Sequence, residues 1–228
     1  MKYRYSFFSL LAVVLFSACD NDPAPQSKPT IFADFFIRYL EDEHELKAQA
    51  TFMEGDSLTS AVPKIFESGV AFLGSNMKMK KIQDKLVRYS LTNEMGYMGS
   101  FRFKFNDENR NPEIYSIEMP PIENFQMKGP ISKSKGMTVV INGGILSQEE
   151  SMVFLFNDKH NQARTITVLG PQTNIEYRFN ADQLRNLSLG EGQLYLVKKQ
   201  LKVQNNPHRS IRTEIEYYTK AIDVLVEE

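Results

Sequence analysis

The sequence predicts an all-β protein made of two consecutive antiparallel β-sandwich domains, and three observations carry that expectation. Apolar and polar residues alternate with period two along most of the chain, whereas helical spacing is scarce. Turn-forming residues recur at the short intervals typical of sandwiches, roughly every 8–12 residues. Midway, Met119-Pro120-Pro121-Ile122-Glu123-Asn124 breaks the pattern. Two adjacent prolines cannot sit in a central strand, so the domains are placed at residues 30–120 and 124–228.

In the first half, Ile31, Ala33, Phe35, Ile37 and Tyr39 share one strand face, while Phe32 and Phe36 on the other predict burial from both sides. Leu46, Ala48, Ala50 and Phe52 alternate with Lys47, Gln49 and Thr51 as a half-buried strand. Further strands are expected over Val70–Met79, Leu86–Leu91, Phe101–Phe105 and Ile114–Met119. Phe101-Arg102-Phe103-Lys104-Phe105 sends three rings inward and two cations outward, and Asp107 to Pro112 reads as a turn. Lys78, Lys80, Lys81 and Lys85 suit a solvated edge that discourages pairing with another chain.

In the second half, strands are expected over Met137–Asn142, Met152–Phe156, Thr165–Leu169, Ile175–Phe179, Gln193–Val203 and Ile211–Val226. The last two form a hairpin around Asn205-Asn206-Pro207-His208, with Lys199 facing Glu214 across it. Ile211, Thr213, Ile215 and Tyr217 share one face, but Ile222, Val224 and Val226 have the opposite parity. That reversal predicts a bulge near Thr219–Ile222. In Phe179–Gly192 a strand ends, Leu184 and Leu187 mark one apolar turn, and Gly190 and Gly192 reopen the chain. This stretch resembles the corner of immunoglobulin-like and fibronectin-like modules, where a short turn crosses between sheets.

The first 29 residues have a different character. Lys2 and Arg4 precede an apolar run from Phe7 to Phe16, then Ser17, Ala18 and Cys19, the single cysteine of the 228-residue chain. The run fits a secretory signal and falls short of the roughly 20 residues that cross a bilayer. Ser17-Ala18-Cys19 resembles the lipobox of bacterial lipoproteins, with Phe16 where Leu is usual. The resemblance implies a signal peptide at 1–18, cleavage between Ala18 and Cys19, and lipid on the Cys19 thiol. Residues 19–29, acidic at first and rich in proline, form a tether. Their acidic start resembles the surface-export signal of Bacteroidota-type lipoproteins, which implies a cell-envelope address on the outer membrane, exposed at the surface.

Composition narrows the function. Without Lys2 and Arg4 the 27 cations fall just below the 28 acids, a formal charge of about −3, so no basic footprint for nucleic acid is present. With Cys19 in a thioether no disulfide forms, and 16 Phe and 10 Tyr supply the core of a chain that has no Trp.

Catalytic signatures are weak. His44, His160 and His208 are far apart and lack the spacing of a zinc site. Ser132-Lys133-Ser134-Lys135 has the form Ser-x-x-Lys, but Gly129-Pro130 and Gly136 make it a loop rather than the helix that chemistry needs. Glu41–Glu45 and Asn106–Asn109 are oxygen-rich but lack the spaced pattern of a calcium loop. Met95, Tyr97 and Met98, in a glycine-flanked loop, are the candidate partner-binding residues, because methionine surfaces adapt to partners; the alternative is that Tyr97 and Met98 tuck under the sandwich. The expectation is therefore a membrane-anchored binding or scaffold module without catalytic residues, cofactor or metal. Its partners would be the membrane through Cys19 and a protein or glycan of unknown identity. The alternative is a glycan-binding accessory of a polysaccharide uptake system.

Overall fold

The computed structural model describes residues 29–228 other than 84, 108 and 161, so Ala18, Cys19 and the tether as far as residue 28 lie outside the described residues. The first half forms β1 (Thr30–Leu40), β2 (Glu45–Gly55), β3 (Val62–Pro63), β4 (Val70–Phe72), β5 (Ser75–Asn76), β6 (Lys78–Ile82), β7 (Leu86–Glu94), β8 (Ser100–Asn106) and β9 (Pro112–Glu118). The second half forms β10 (Asn124–Met127), β11 (Ile131–Ser132), β12 (Met137–Asn142), β13 (Glu150–Asp158), β14 (Ala163–Leu169) and β15 (Glu176–Phe179). After one helical turn, α1 (Ala181–Leu184), come β16 (Gly190–Asn206), β17 (Arg209–Tyr218) and β18 (Ile222–Glu227). The all-β class is as expected.

The sheets are arranged in a way the sequence did not announce. An 11-stranded sheet runs β11-β18-β16-β17-β1-β2-β7-β6, with β13 and β14 beside β16, and β3 beside β2. Its joint is β1, antiparallel to β2 on one side and parallel to β17 on the other, from Ile31 opposite Arg209 to Leu40 opposite Tyr218. Strands from both halves thus lie in one sheet, where the sequence predicted two consecutive sandwiches. The expected burial of β1 from both sides is not seen, since Phe32 and Phe36 are only half-buried on the outer face; what β1 has on both sides is a hydrogen-bonded neighbour. A strand hydrogen-bonded along both edges leaves no template exposed, and its inner face (Ala33, Phe35, Ile37, Tyr39) is buried.

Two small sheets cover the inner face of the large one. Sheet β5-β4-β8-β9 lies over the first half, and sheet β10-β12-β15 over the second. Phe35 stacks on Phe103 at 4.4 Å and on Tyr115 at 4.9 Å between ring centroids, and Phe52 meets Phe105 edge-on at 4.9 Å. Over the second half, Phe154 meets Phe179 edge-on at 4.7 Å and Tyr177 at 5.4 Å. One contiguous apolar cluster includes residues of both halves.

Several local expectations hold. α1 carries the chain from β15 in a small sheet to β16 in the large one, capped reciprocally by Asn180 and Gln183, with Leu184 and Leu187 buried. The β16–β17 hairpin turns at Pro207-His208, where His208 takes a φ of +63° behind the fixed φ of proline. The parity reversal is a one-residue bulge: Val197 opposes Tyr218, yet Leu194 opposes Ile222, so one more residue lies on the β17–β18 side. At that point the Thr219 hydroxyl accepts from Leu196 N–H at 2.9 Å, giving the interrupted ladder a partner.

One local strand assignment fails as well. Val70–Met79 is not a single strand but β4, β5 and the start of β6, because Leu73 (φ +49°) and Gly74 (φ +85°) reverse the chain. The segment then leaves the small sheet for the edge of the large one.

A buried charge fastens the connection between the halves. Lys198 is 1% exposed on the inner face of β16, and its Nζ donates to the carbonyls of Pro120, Gly143 and Ile145 at 3.1, 3.5 and 3.4 Å. Glu150 approaches it at 3.4 Å and also accepts from Ser147 N–H at 2.7 Å. Burial pulls the Lys198 ammonium below its ordinary pKa, and Glu150 opposes that shift.

Candidate functional site

Strand alternation sends Phe36, Arg38, Lys199, Glu214, Glu216 and Tyr218 to the face of the large sheet that no small sheet covers. The registers set these side chains in rows. One row runs Lys199, Glu216, Arg38, Lys47, Thr92, and the next runs Leu201, Glu214, Phe36, Gln49, Ser90, Lys78. A third runs Val203, Arg212, Asp34, Thr51, Arg88, Lys80. No strand supplies a row alone, so this surface exists only because β1 joins the halves.

The centre of the face is an ion-pair ladder. Arg38 donates to Glu216 through Nε at 2.9 Å and through Nη2 at 2.6 Å. Lys199 reaches Glu216 at 2.8 Å and Glu214 at 3.4 Å, and Arg212 bridges Asp34 at 2.9 Å and Glu214 at 2.6 Å. The residue directly opposite Lys199 is Glu216, with the expected partner Glu214 on its flank. Burial pushes the Glu216 carboxyl up, but hydrogen bonds and charge from Lys199 and Arg38 outweigh it and hold the carboxyl below its ordinary pKa. The Arg38 guanidinium lies 5.2 Å from the Phe36 ring centroid and 5.4 Å from that of Tyr218, forming an aromatic–cation–aromatic stack open to solvent.

Beside this ladder lies an open groove of about 540 Å³, lined by Ser151, Val153, Thr167, Leu169, Lys199 and Leu201 among others. Leu169 is 74% exposed and Leu201 49%. Exposed leucines next to paired charges give a surface that gains by covering its apolar part while its polar groups are already oriented. A larger hollow of about 690 Å³ lies beside β12 and β15, lined in part by Lys128, Lys135 and Arg178. Glu176 engages both Lys128 and Arg178 there, and the hollow has no comparable exposed leucines.

The residues singled out from sequence are divided by the fold. Tyr97 belongs to the interior: its hydroxyl donates to Met119 C=O at 2.8 Å, and its ring meets Tyr39, Phe101 and Tyr217 at 5.3, 5.2 and 4.7 Å. Burial raises its phenol far above the ordinary value, with Tyr217 and Glu150 adding to the shift. Met95 packs partly against the core, while Met98 is 58% exposed. The three do not form one surface.

Ser132 and Ser134 share a hydrogen bond at 3.1 Å, and Lys135 reaches Ser132 through its backbone N–H. The segment is not helical, as expected, but it is not all solvated loop: Ser132 lies in β11 and is buried, and the turn begins after it. Among the described residues no three His, Cys, Asp or Glu side chains gather as a metal site. Sequence reasoning did not assemble the outer-face groove, because its lining comes from four strands whose order is not written locally. No protein-family model matches the chain, and no curated protein is significantly similar to it.

Proposed function

We propose that this chain is a lipid-anchored cell-envelope protein that works by binding or scaffolding outside the membrane rather than by catalysis. The observation that carries the binding role is the groove beside β14 and β16. It joins exposed Leu169 and Leu201 to a charge ladder in which Lys199 and Arg38 hold the Glu216 carboxyl below its ordinary pKa, an arrangement that orients a partner rather than relaying protons. Anchoring rests on the sequence Ser17-Ala18-Cys19 behind its apolar run, with residues 19–29 as spacer.

A second reading, a glycan-binding accessory of a polysaccharide uptake system, is favoured by the Phe36–Arg38–Tyr218 stack. Flat rings beside a cation and carboxylates suit a sugar face and its hydroxyls.

Two measurements test these readings. Cys19→Ala in the full chain abolishes incorporation of labelled palmitate, and unchanged labelling refutes the anchor. Cross-linked capture from intact cells by the full chain falls about tenfold with Leu201→Asp, because a buried carboxylate costs at least as much as one lost hydrophobic contact. Equal capture by the variant removes the groove from the account. A polysaccharide array on which Tyr218→Ala lowers the signal selects the glycan reading, and an array without signal excludes it.

A further inference from the structure

The cationic flank of the outer face stays unbalanced where the centre is neutralised. On β7, Val87 and Tyr89 are buried inward, so Arg88 and Ser90 point outward. Arg88 stands directly opposite Lys80 on β6 and Thr51 on β2, while Ser90 stands opposite Lys78 and Gln49. Three cations, two hydroxyls and one amide thus form a block two residues deep and three strands wide. The sequence from 78 to 88 holds five cations, with Lys81 and Lys85, against one acid, Asp84.

Two features of this block are unfavourable without a ligand. Like charges directly opposed across strands repel, and Lys80–Arg88 is such a pair. The Arg88 Nε is buried and is, among the described residues, the one buried side-chain nitrogen or oxygen without a hydrogen-bond partner. The nearest acid in the row, Asp34, is engaged by Arg212. An edge strand needs some charge to resist pairing, and Lys78, Lys80 and Lys81 supply it. Arg88 is not on that edge, so edge protection does not account for it.

An anion with several acceptor oxygens offsets the repulsion, and a guanidinium turned outward to meet it would also bring Nε out of burial. A guanidinium matches carboxylate, sulfate or phosphate as a two-pronged donor, and Lys80, Thr51 and Ser90 add donors around it. The site is flat and unwalled, and Lys78 and Lys80 lie about 7 Å apart along the strand. That geometry suits charges repeated along a polymer better than one small ion. A bilayer is less well matched. The end of the sheet that Pro29 enters presents Glu54, Asp107 and Glu113 alongside Lys64 and Arg209, a mixed surface rather than a basic one. We propose that Arg88, Lys80 and Lys78, with Thr51 and Ser90, bind the repeated carboxylate or sulfate groups of an acidic polysaccharide. The proposal rests on the outer face being a recognition surface and adds to it the class of ligand.

The test uses the full chain in detergent on immobilised polygalacturonate and on a sulfated glucan, with uncharged dextran as reference and phosphatidylglycerol vesicles as the lipid arm. Retention on the two acidic polymers at low salt, lost as salt rises, is expected, with none on dextran. Arg88→Gln weakens it about tenfold, as loss of a charge-assisted contact does. Lys80→Glu abolishes it while raising the melting temperature, because it turns a repulsive pair into an attractive one. Val62→Thr, exposed and outside both this block and the groove, leaves it unchanged, while the groove is judged by its own capture experiment, so failure here and failure of the groove are separate results. Retention unaffected by Arg88→Gln, no retention of the wild type, or Arg88-dependent binding to vesicles but not to polysaccharide overturns the proposal.

Discussion

Replacing Lys198 with Met lowers stability by about 3–5 kcal/mol, the cost of breaking a buried ion pair from one side. The methionine fills much of the same volume, so the loss is electrostatic rather than a cavity. Glu150, 7% exposed, keeps its carboxylate and loses its cation, and the carbonyls of Pro120, Gly143 and Ile145 lose a shared donor. Those carbonyls belong to the connection between the halves and to the loop before β13, so both loosen together. Chemical denaturation should show a lower midpoint with an unchanged slope if the native fold is otherwise kept. A change below about 1 kcal/mol would mean that water or another group already satisfies Glu150.

Phe35→Ala is the second large effect, expected at about 3–5 kcal/mol. Phe35 is fully buried in the strand that joins the halves, and its ring contacts Phe52 at 5.6 Å, Phe103 at 4.4 Å and Tyr115 at 4.9 Å. Tyr115 is itself tied to the other half: its hydroxyl donates to Gln204 Oε1 at 2.8 Å and lies 3.0 Å from the Thr213 hydroxyl. Rings held from several sides cannot close over the space a phenyl leaves, so the cavity cost adds to the lost transfer energy. Phe36→Ala, one residue along on the open face, removes a half-exposed ring and should cost much less. The same denaturation experiment compares the two, and equal losses would contradict the assignment of inner and outer faces.

Local chemistry was legible in the sequence wherever one strand's own alternation decided it. The Phe101–Phe105 run, the hairpin at Pro207-His208 and the bulge at Thr219 all follow from parity or turn residues within a few positions. Val70–Met79 misled because its apolar residues continue through Leu73-Gly74, and only the backbone reversal there shows that the chain changes sheets. The parallel pairing of β1 with β17 left no local mark. The Arg38–Glu216 bond links positions 178 residues apart, and neither neighbourhood names the other. The candidate site suffered most from this, since its rows draw on strands of both halves. Nothing in its glycine-flanked loop decides whether Tyr97 binds a partner or tucks inward, because the aromatic neighbours that hold it inside come from β1, β8 and β17. Lys198 did carry a hint, because it continues the buried phase of Leu194 and Leu196 along β16.

The central claim is that one sheet runs through both halves and thereby creates the outer face. Scanning calorimetry of the full chain and of the Phe35→Ala and Lys198→Met variants tests it most directly. A shared sheet and core predict one cooperative transition, shifted as a whole by either substitution although one lies in each half. Two transitions in the wild type, with Phe35→Ala moving only one and Lys198→Met only the other, would contradict it.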